Sequence, residues 1–238
     1  MDSQTQKEFD KELLPVILLF IALVIMLAGF IITELFFVYA LNIQDKFFIS
    51  GYWVFSAFAA LLYILYFHKK GKLSFKDIGL TFKNAGNGAA LGVIGGVVAG
   101  LAGWAFLFFI GVPAEPLPGS FVLLFFFVSV VSAPIREEIM VRGIIWAFVE
   151  KTTNIVVKYK NIQLGKRKKD AFVVIAVSLA FLFLHVGRGL DVLLTTILFS
   201  SFIDSIVYYK TRNLAAPMTA HAIYNLFVLL RPFVFAGI

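Results

Sequence analysis

Seven long apolar stretches restrict what this chain can fold into. A helix of about 20 apolar residues spans the ~30 Å hydrocarbon core of a bilayer. The stretches of roughly this length are residues 13–41, 47–67, 89–112, 120–149, 171–185, 190–209 and 214–230. The sequence therefore predicts an all-α, polytopic membrane helix bundle with about seven spans. An eighth short or re-entrant element would change only the side of the membrane on which the C-terminus lies.

The composition excludes the main soluble classes. Hydrophobic residues make up 61% of the 238 residues, against ~45–50% in soluble chains. The chain has no cysteine, which excludes disulfide frameworks, thiolate zinc sites and cysteine nucleophiles. We expect one transmembrane domain over residues 1–238, with three spans in residues 1–119 and a core formed by the later spans in residues 120–230.

The positive charge indicates orientation in a membrane and not nucleic-acid binding. Sixteen of the 21 Lys and Arg residues fall in segments predicted to lie on the same side of the membrane as the N-terminus. The opposite side has Lys46, Arg188 and Arg231, and Arg136 and Arg142 lie within the fourth span. Because cytoplasmic loops collect Lys and Arg, this distribution predicts a cytoplasmic N-terminus and membrane lipids as partners.

Two segments in the N-terminal half carry packing signals. Gly92, Gly96 and Gly100 recur every four residues in the third span, a spacing that lets another helix approach closely. Residues 73–82 mix apolar and basic side chains, which is typical of an interfacial segment. An ordinary cytoplasmic loop is the alternative for residues 73–82.

Two adjacent glutamates lie deep in the fourth span. Glu137 is roughly 26 Å from one end of the span and 18 Å from the other at 1.5 Å per residue. Glu138 and Arg142 are four residues apart and can form an ion pair on one helical face. Glu137 is rotated by ~100° from Glu138 and is left without that partner. A buried ion cluster that joins helices is the alternative to a functional site.

Three other acidic residues lie near predicted span ends. Glu34, Asp191 and Asp204 are expected to be interfacial or packing residues, because each is within reach of an interface.

Two histidines accompany the glutamates in the membrane. His185 ends the fifth span, and Phe181 precedes it by four residues. His221 lies in the seventh span and Asn225 follows it by four residues, so both can face the same point. A carboxylate, two imidazoles and an amide can supply a base for water and donors for an oxyanion.

These residues resemble the three motifs of the CAAX-protease and bacteriocin-processing family of intramembrane peptidases, which includes the Ras-converting enzyme. The motifs, in chain order, are Glu137-Glu138-x-x-x-Arg142, Phe181-x-x-x-His185 and His221-x-x-x-Asn225. The resemblance covers about residues 120–230. It implies supporting roles for Glu138, Arg142 and Phe181.

The resemblance also implies catalytic roles. Glu137 is expected to activate water with the help of His185. His221 and Asn225 are expected to stabilise the oxyanion of the tetrahedral intermediate.

A metal is the open question of the predicted mechanism. Members of the family are commonly called metalloproteases, and Glu137, His185 and His221 also match the donor set of a catalytic zinc site. The His-Glu-x-x-His pattern of common zinc proteases is absent. We favour a mechanism without a cofactor and keep zinc as the alternative.

The leading hypothesis is an intramembrane endopeptidase that opens to the cytoplasm and cleaves a membrane-associated peptide or protein, with or without a lipid. CAAX-type processing and the processing of leader or signal peptides both fit this hypothesis. A catalytically silent membrane scaffold or regulator is the alternative. A small transporter is a third hypothesis, but the chain lacks the internal repeat that many transporters have.

Overall fold

The computed structural model describes residues 3–43, 45, 49, 51–113, 122–185 and 195–235. This part of the chain contains helices and turns but no strand. Seven helical stretches follow one another in the order of the seven predicted spans. They are α1 (Ser3–Leu35, extended by a π-helical turn at Phe36–Ala40), α2 (Val54–Lys69), α3 (Ala85–Phe109), α4 (residues 122–159), α5 (Lys166–Phe183), α6 (residues 196–211) and α7 (Ala215–Phe235).

Three of these helical stretches are long and apolar enough to cross a membrane. They are Gln4–Ala40, Ala85–Phe109 and Ala215–Phe235, and α2 is a shorter apolar helix. The protein is therefore an all-helical integral membrane protein, while the number of seven spans stays a prediction. The predicted span starts at residues 47, 120 and 190 lie outside the described residues.

Helix α4 contains two π-helical segments and carries both glutamates between them. π-Helical segments at Phe126–Ser132 and Ile139–Ile145 flank a short α-helical turn at Ala133–Glu138. Pro134, at the start of that turn, has no backbone N–H and cannot complete the α-helical hydrogen-bond pattern before it. π-Helical turns inside α-helices are frequent at functional sites.

Helices α3 and α7 pack at very short range through the predicted glycines. A Cβ atom on Gly96 would lie 2.5 Å from the carbonyl oxygen of Ala220 in α7, and one on Gly100 would meet the ring of Phe227. Only glycine permits such an approach, so the prediction that this stripe serves packing is confirmed. Because α7 carries His221, the contact helps to fix the position of that side chain.

Three ion pairs gather the basic segments at one end of the bundle. They join the start of α1, the residue 73–82 segment, the end of α4 and the α6–α7 connection. The pairs are Lys158–Glu12 at 2.6 Å, Lys151–Asp77 at 3.1 Å and Arg212–Glu150 at 2.8 Å. The segments that hold most of the Lys and Arg residues therefore share one end.

The segment of residues 73–82 closes this end of the bundle. It contains a 3₁₀ turn at Phe75–Ile78. Gly79 adopts a left-handed conformation with φ of 70°, and a Cβ there would lie 2.5 Å from the ring of Tyr208 in α6. Its carbonyl oxygen accepts a hydrogen bond from the Leu214 amide at 2.9 Å. Phe82 is fully exposed, and the interfacial location of the segment stays a prediction.

Candidate active site

The predicted ion pair between Glu138 and Arg142 forms at the centre of the bundle. Nη1 of Arg142 lies 2.9 Å from Oε1 of Glu138, and both side chains are inaccessible to solvent. Arg142 also donates to the carbonyl oxygen of Ser201 at 2.7 Å and to its hydroxyl at 3.0 Å. The guanidinium therefore ties the glutamate turn of α4 to α6.

His221 bonds to the same carboxylate oxygen. Its Nδ1 lies 2.8 Å from Oε1 of Glu138. An ionised carboxylate can only accept a hydrogen bond, so Nδ1 of His221 is assigned as the donor. Glu138 therefore links α4 to α7 and sets the orientation of the imidazole ring.

Glu137 has a cationic partner, which corrects the sequence analysis. Nη2 of Arg136 donates to Oε1 of Glu137 at 3.0 Å, and the two side chains are largely buried. The prediction that Glu137 lacks a partner considered only the helical phase of Arg142. It was wrong because the long side chain of the adjacent Arg136 reaches the carboxylate directly.

The second oxygen of Glu137 faces both predicted histidines. Oε2 lies 3.7 Å from Nε2 of His185 and 3.9 Å from Nε2 of His221. Nδ1 of His185 is 2.9 Å from the carbonyl oxygen of Phe181, so it is assigned as a donor. The distances from Oε2 to both Nε2 atoms exceed those of direct hydrogen bonds. The three groups can therefore act together on one small molecule.

Phe181 is the apolar support of this cluster. Its ring is fully buried and lies 4.4 Å from the ring of His185 and 5.7 Å from that of His221, centroid to centroid. The guanidinium carbon of Arg142 lies 4.6 Å from the centre of the same ring. Phe181 thus packs against both imidazoles and the supporting arginine.

Asn225 has a partner outside this cluster. Its Nδ2 donates to the backbone carbonyl of Ser129 at 2.7 Å, in the first π-helical segment of α4. An amide carries two N–H groups, so this bond fixes the side chain and leaves the second N–H for another acceptor. The structure brings the other six predicted site residues together.

Asp204 is a buried acid that the sequence analysis assigned to an interface or to packing. It is 1% exposed and accepts a hydrogen bond from Ser200 at 2.8 Å. Its carboxylate, that of Glu138 and the His221 ring offer polar atoms within 4.8 Å of one another. The interfacial alternative is wrong for Asp204 because its carboxylate is buried inside the bundle beside Glu138 and His221. Glu34 is half-exposed, and Asp191 lies outside the described residues.

Other site residues also escaped sequence reasoning. Ser201 and Ser205 of α6 both lie within hydrogen-bond reach of Arg142, and Ser178 of α5 donates to Ser205 at 2.9 Å. Serines are common in membrane helices, so no pattern in the sequence marks these three. For Arg136 the sequence did carry a signal, because its position directly before two glutamates indicates an ion pair.

The donors present are chemically suited to a metal ion. His185 and His221 direct Nε2 toward Glu137 while Nδ1 of each is hydrogen-bonded, which is how metal-binding histidines are commonly oriented. A His₂Glu donor set is one used by catalytic zinc. The charge of Glu137 is, however, already compensated by Arg136.

Comparison with known families adds one match. Residues 119–227 match the family model described as Rce1-like type II CAAX prenyl endopeptidase. No curated protein and no solved structure is significantly similar to the chain. The matched region contains every residue of the three motifs.

Proposed function

We propose that this chain, whose residues 119–227 match the model of Rce1-like type II CAAX prenyl endopeptidases, hydrolyses peptide bonds inside the membrane through glutamate-activated water. One observation carries the proposal: Oε2 of Glu137 faces the Nε2 atoms of His185 and His221 at 3.7 and 3.9 Å. Activation of water requires a base within reach of it, and two imidazoles directed at the same point can hold that water in place.

Glu137 is the proposed base. Its Oε2 takes one proton from water. Nε2 of His185, whose lone pair is available when Nδ1 carries the proton, accepts a hydrogen bond from the O–H that the water keeps. The water oxygen bonds to the carbonyl carbon of the substrate. As the C–N bond breaks, Glu137 passes the proton to the leaving amine, so the site returns to its starting state.

His221 and Asn225 are the proposed oxyanion donors. Nδ1 of His221 already donates to Glu138, so Nε2 can also donate only when the ring is an imidazolium. The adjacent carboxylate stabilises that cation. Asn225 would contribute the N–H that does not bond to Ser129. Donors held in place before the reaction stabilise an oxyanion without reorganisation.

The proposed mechanism uses no metal. The support is the ion pair of Glu137 with Arg136, because a bound cation competes with a metal ion for the carboxylate. In the alternative mechanism Glu137, His185 and His221 would hold zinc, which would supply Lewis-acid activation of water.

The substrates we propose are membrane-associated peptides or proteins that reach the site from the cytoplasmic side. The ion pairs described above place the basic segments at one end of the bundle, and the positive-inside rule assigns such an end to the cytoplasm. A prenylated C-terminal segment is the substrate class that the family description suggests.

A peptide panel tests the proposed function. Purified protein in detergent is incubated with a fluorogenic prenylated CAAX peptide, the same peptide without the prenyl group, and a scrambled prenylated peptide. We expect cleavage by wild type and loss of cleavage in Glu137→Gln. Glu150→Gln is the matched control, because it makes the same change in α4 at an ion pair outside the site. If wild type cleaves no peptide, or if Glu137→Gln retains activity, the proposed function is wrong.

A further inference from the structure

The two oxygens of Glu137 have separate environments. Oε1 accepts a hydrogen bond from Arg136 at 3.0 Å, whereas Oε2 faces the two imidazoles. A glutamate side chain rotates about three bonds, so one anchored oxygen limits where the other can lie.

Arg136 is itself fixed by residues from another part of the bundle. Its guanidinium carbon lies 5.4 Å from the centre of the Trp53 ring, which stacks on Phe30 of α1 at 5.2 Å. Nη1 of Arg136 lies 3.5 Å from the hydroxyl of Ser132, which in turn donates to the carbonyl of Gly51 at 2.9 Å. Arg136 is 3% exposed.

We propose that Arg136, held over Trp53, is a positioning residue that orients the Glu137 carboxylate toward the two imidazoles. The inference rests on the proposed function. It also connects the two halves of the chain, because Phe30, Gly51 and Trp53 precede the region that matches the family. A planar guanidinium suits this task, since it can stack on an aromatic ring while its N–H groups bond to separate acceptors.

The competing explanation is that Arg136 only compensates the negative charge of Glu137. A lysine at position 136 distinguishes this explanation from a role in orienting the carboxylate. A lysine at position 136 would keep the positive charge beside Glu137, but it lacks the planar fork that reaches Glu137 and Ser132 while lying over the Trp53 ring. If charge were all that matters, lysine would restore full turnover. If orientation matters, lysine restores it only in part.

The experiment measures kcat and KM separately on the peptide that wild type cleaves fastest, together with the melting temperature. The variants are Arg136→Met, Arg136→Lys and Trp53→Leu. Lys151→Met is the matched control, because it removes the cation of the Lys151–Asp77 ion pair at the basic end of the bundle. We expect kcat of Arg136→Met to fall by ~10²-fold with KM little changed, since misplacing a reacting group by about 1 Å can cost that much.

Arg136→Lys and Trp53→Leu should each lose roughly 10-fold in kcat, because part of the anchor remains. Both keep a positive charge at position 136, so they carry the test if Arg136→Met does not fold. The inference is overturned if both retain the wild-type kcat, or if their KM rises while kcat stays constant, which would indicate substrate binding. If wild type itself cleaves no peptide, that result contradicts the proposed function, whereas wild-type cleavage with unchanged variants contradicts only the role of Arg136.

Discussion

At the scale of single residues, the adjacent glutamates divide two tasks between them. Glu138 is fully buried and shares one oxygen between Arg142 and His221. Glu137 is 7% exposed and keeps one oxygen directed at the histidines. Glu137 pairs with Arg136 and Glu138 pairs with Arg142, so the two negative and two positive charges within residues 136–142 compensate one another. This matters because an uncompensated buried charge is strongly unfavourable.

Substitutions at the two glutamates should separate stability from activity. Glu138→Ala leaves Arg142 without its buried counter-charge, which typically costs ~3–5 kcal/mol, and should lower the melting temperature clearly. Glu137→Gln keeps an oxygen that can accept from Arg136 and should abolish cleavage with a smaller loss of stability. Thermal unfolding in detergent and peptide cleavage measure the two effects. Equal melting losses in both variants would contradict this division.

Chelation distinguishes the metal-free mechanism from the zinc alternative. If Glu137 activates water without a metal, cleavage should persist after treatment with a strong chelator, and elemental analysis should find no stoichiometric zinc. A zinc site would lose activity on chelation and regain it on adding zinc. One zinc per active chain, lost together with activity in His221→Ala but retained in His68→Ala, would overturn the metal-free mechanism. His68 is a suitable control because it lies at the end of α2, in the basic end of the bundle.

At the scale of helices, the contact between α3 and α7 holds one of the two histidines in place. Gly92 and Gly96 face the backbone carbonyls of Ala216 and Ala220, and Trp104 donates from its indole N–H to the carbonyl of Phe227 at 2.9 Å. Membrane helices associate through close packing of this kind, since lipid provides no hydrophobic driving force between them. The position of His221 therefore depends on a helix outside the family match.

Adding one methyl group in this contact should destabilise the protein. Gly96→Ala places a Cβ 2.5 Å from the Ala220 carbonyl oxygen, and overpacking of this kind costs about 1–3 kcal/mol. Gly86→Ala makes the same change in the same helix, where no atom lies within 4 Å of the new Cβ. We expect a lower melting temperature for Gly96→Ala and an unchanged or higher one for Gly86→Ala. A similar response in both variants would contradict the packing role.

At the scale of the whole molecule, charge is distributed unevenly along the bundle axis. The ion pairs Lys158–Glu12, Lys151–Asp77 and Arg212–Glu150 all lie at the basic end. Partly exposed pairs such as these contribute little stability each. Their main consequence is to bring the connections between helices together, so that basic residues gather at one end. The positive-inside rule predicts that this end faces the cytoplasm.

The orientation can be tested by labelling, and the absence of cysteine makes the test simple. A single cysteine at Lys160, in the exposed connection after α4, should react with a membrane-impermeant maleimide only from the cytoplasmic side. One at Pro113, beyond the other end of α3, should react only from the opposite side. Both positions are exposed. Reversed labelling in sealed vesicles of known orientation would refute the predicted topology.

The sequence by itself determined the features that depend on local spacing. Continuous hydropathy indicated membrane helices, glycines every four residues indicated close packing, and the four-residue spacing of Glu138 and Arg142 predicted their ion pair. The three motifs also predicted the family, and residues 119–227 match the model of an Rce1-like type II CAAX prenyl endopeptidase. Such features are visible because helical geometry relates positions three or four residues apart in any sequence.

Only the tertiary structure decided which distant groups meet. The bond between His221 and Glu138 joins positions 83 residues apart, and Arg142 reaches Ser201 over 59 residues. The contact of Arg136 with the Trp53 ring and the burial of Asp204 likewise depend on how separate helices pack. Helical periodicity gives the face on which a residue lies, but not which face of another helix opposes it. That choice comes from side-chain packing across the bundle, which no local pattern encodes.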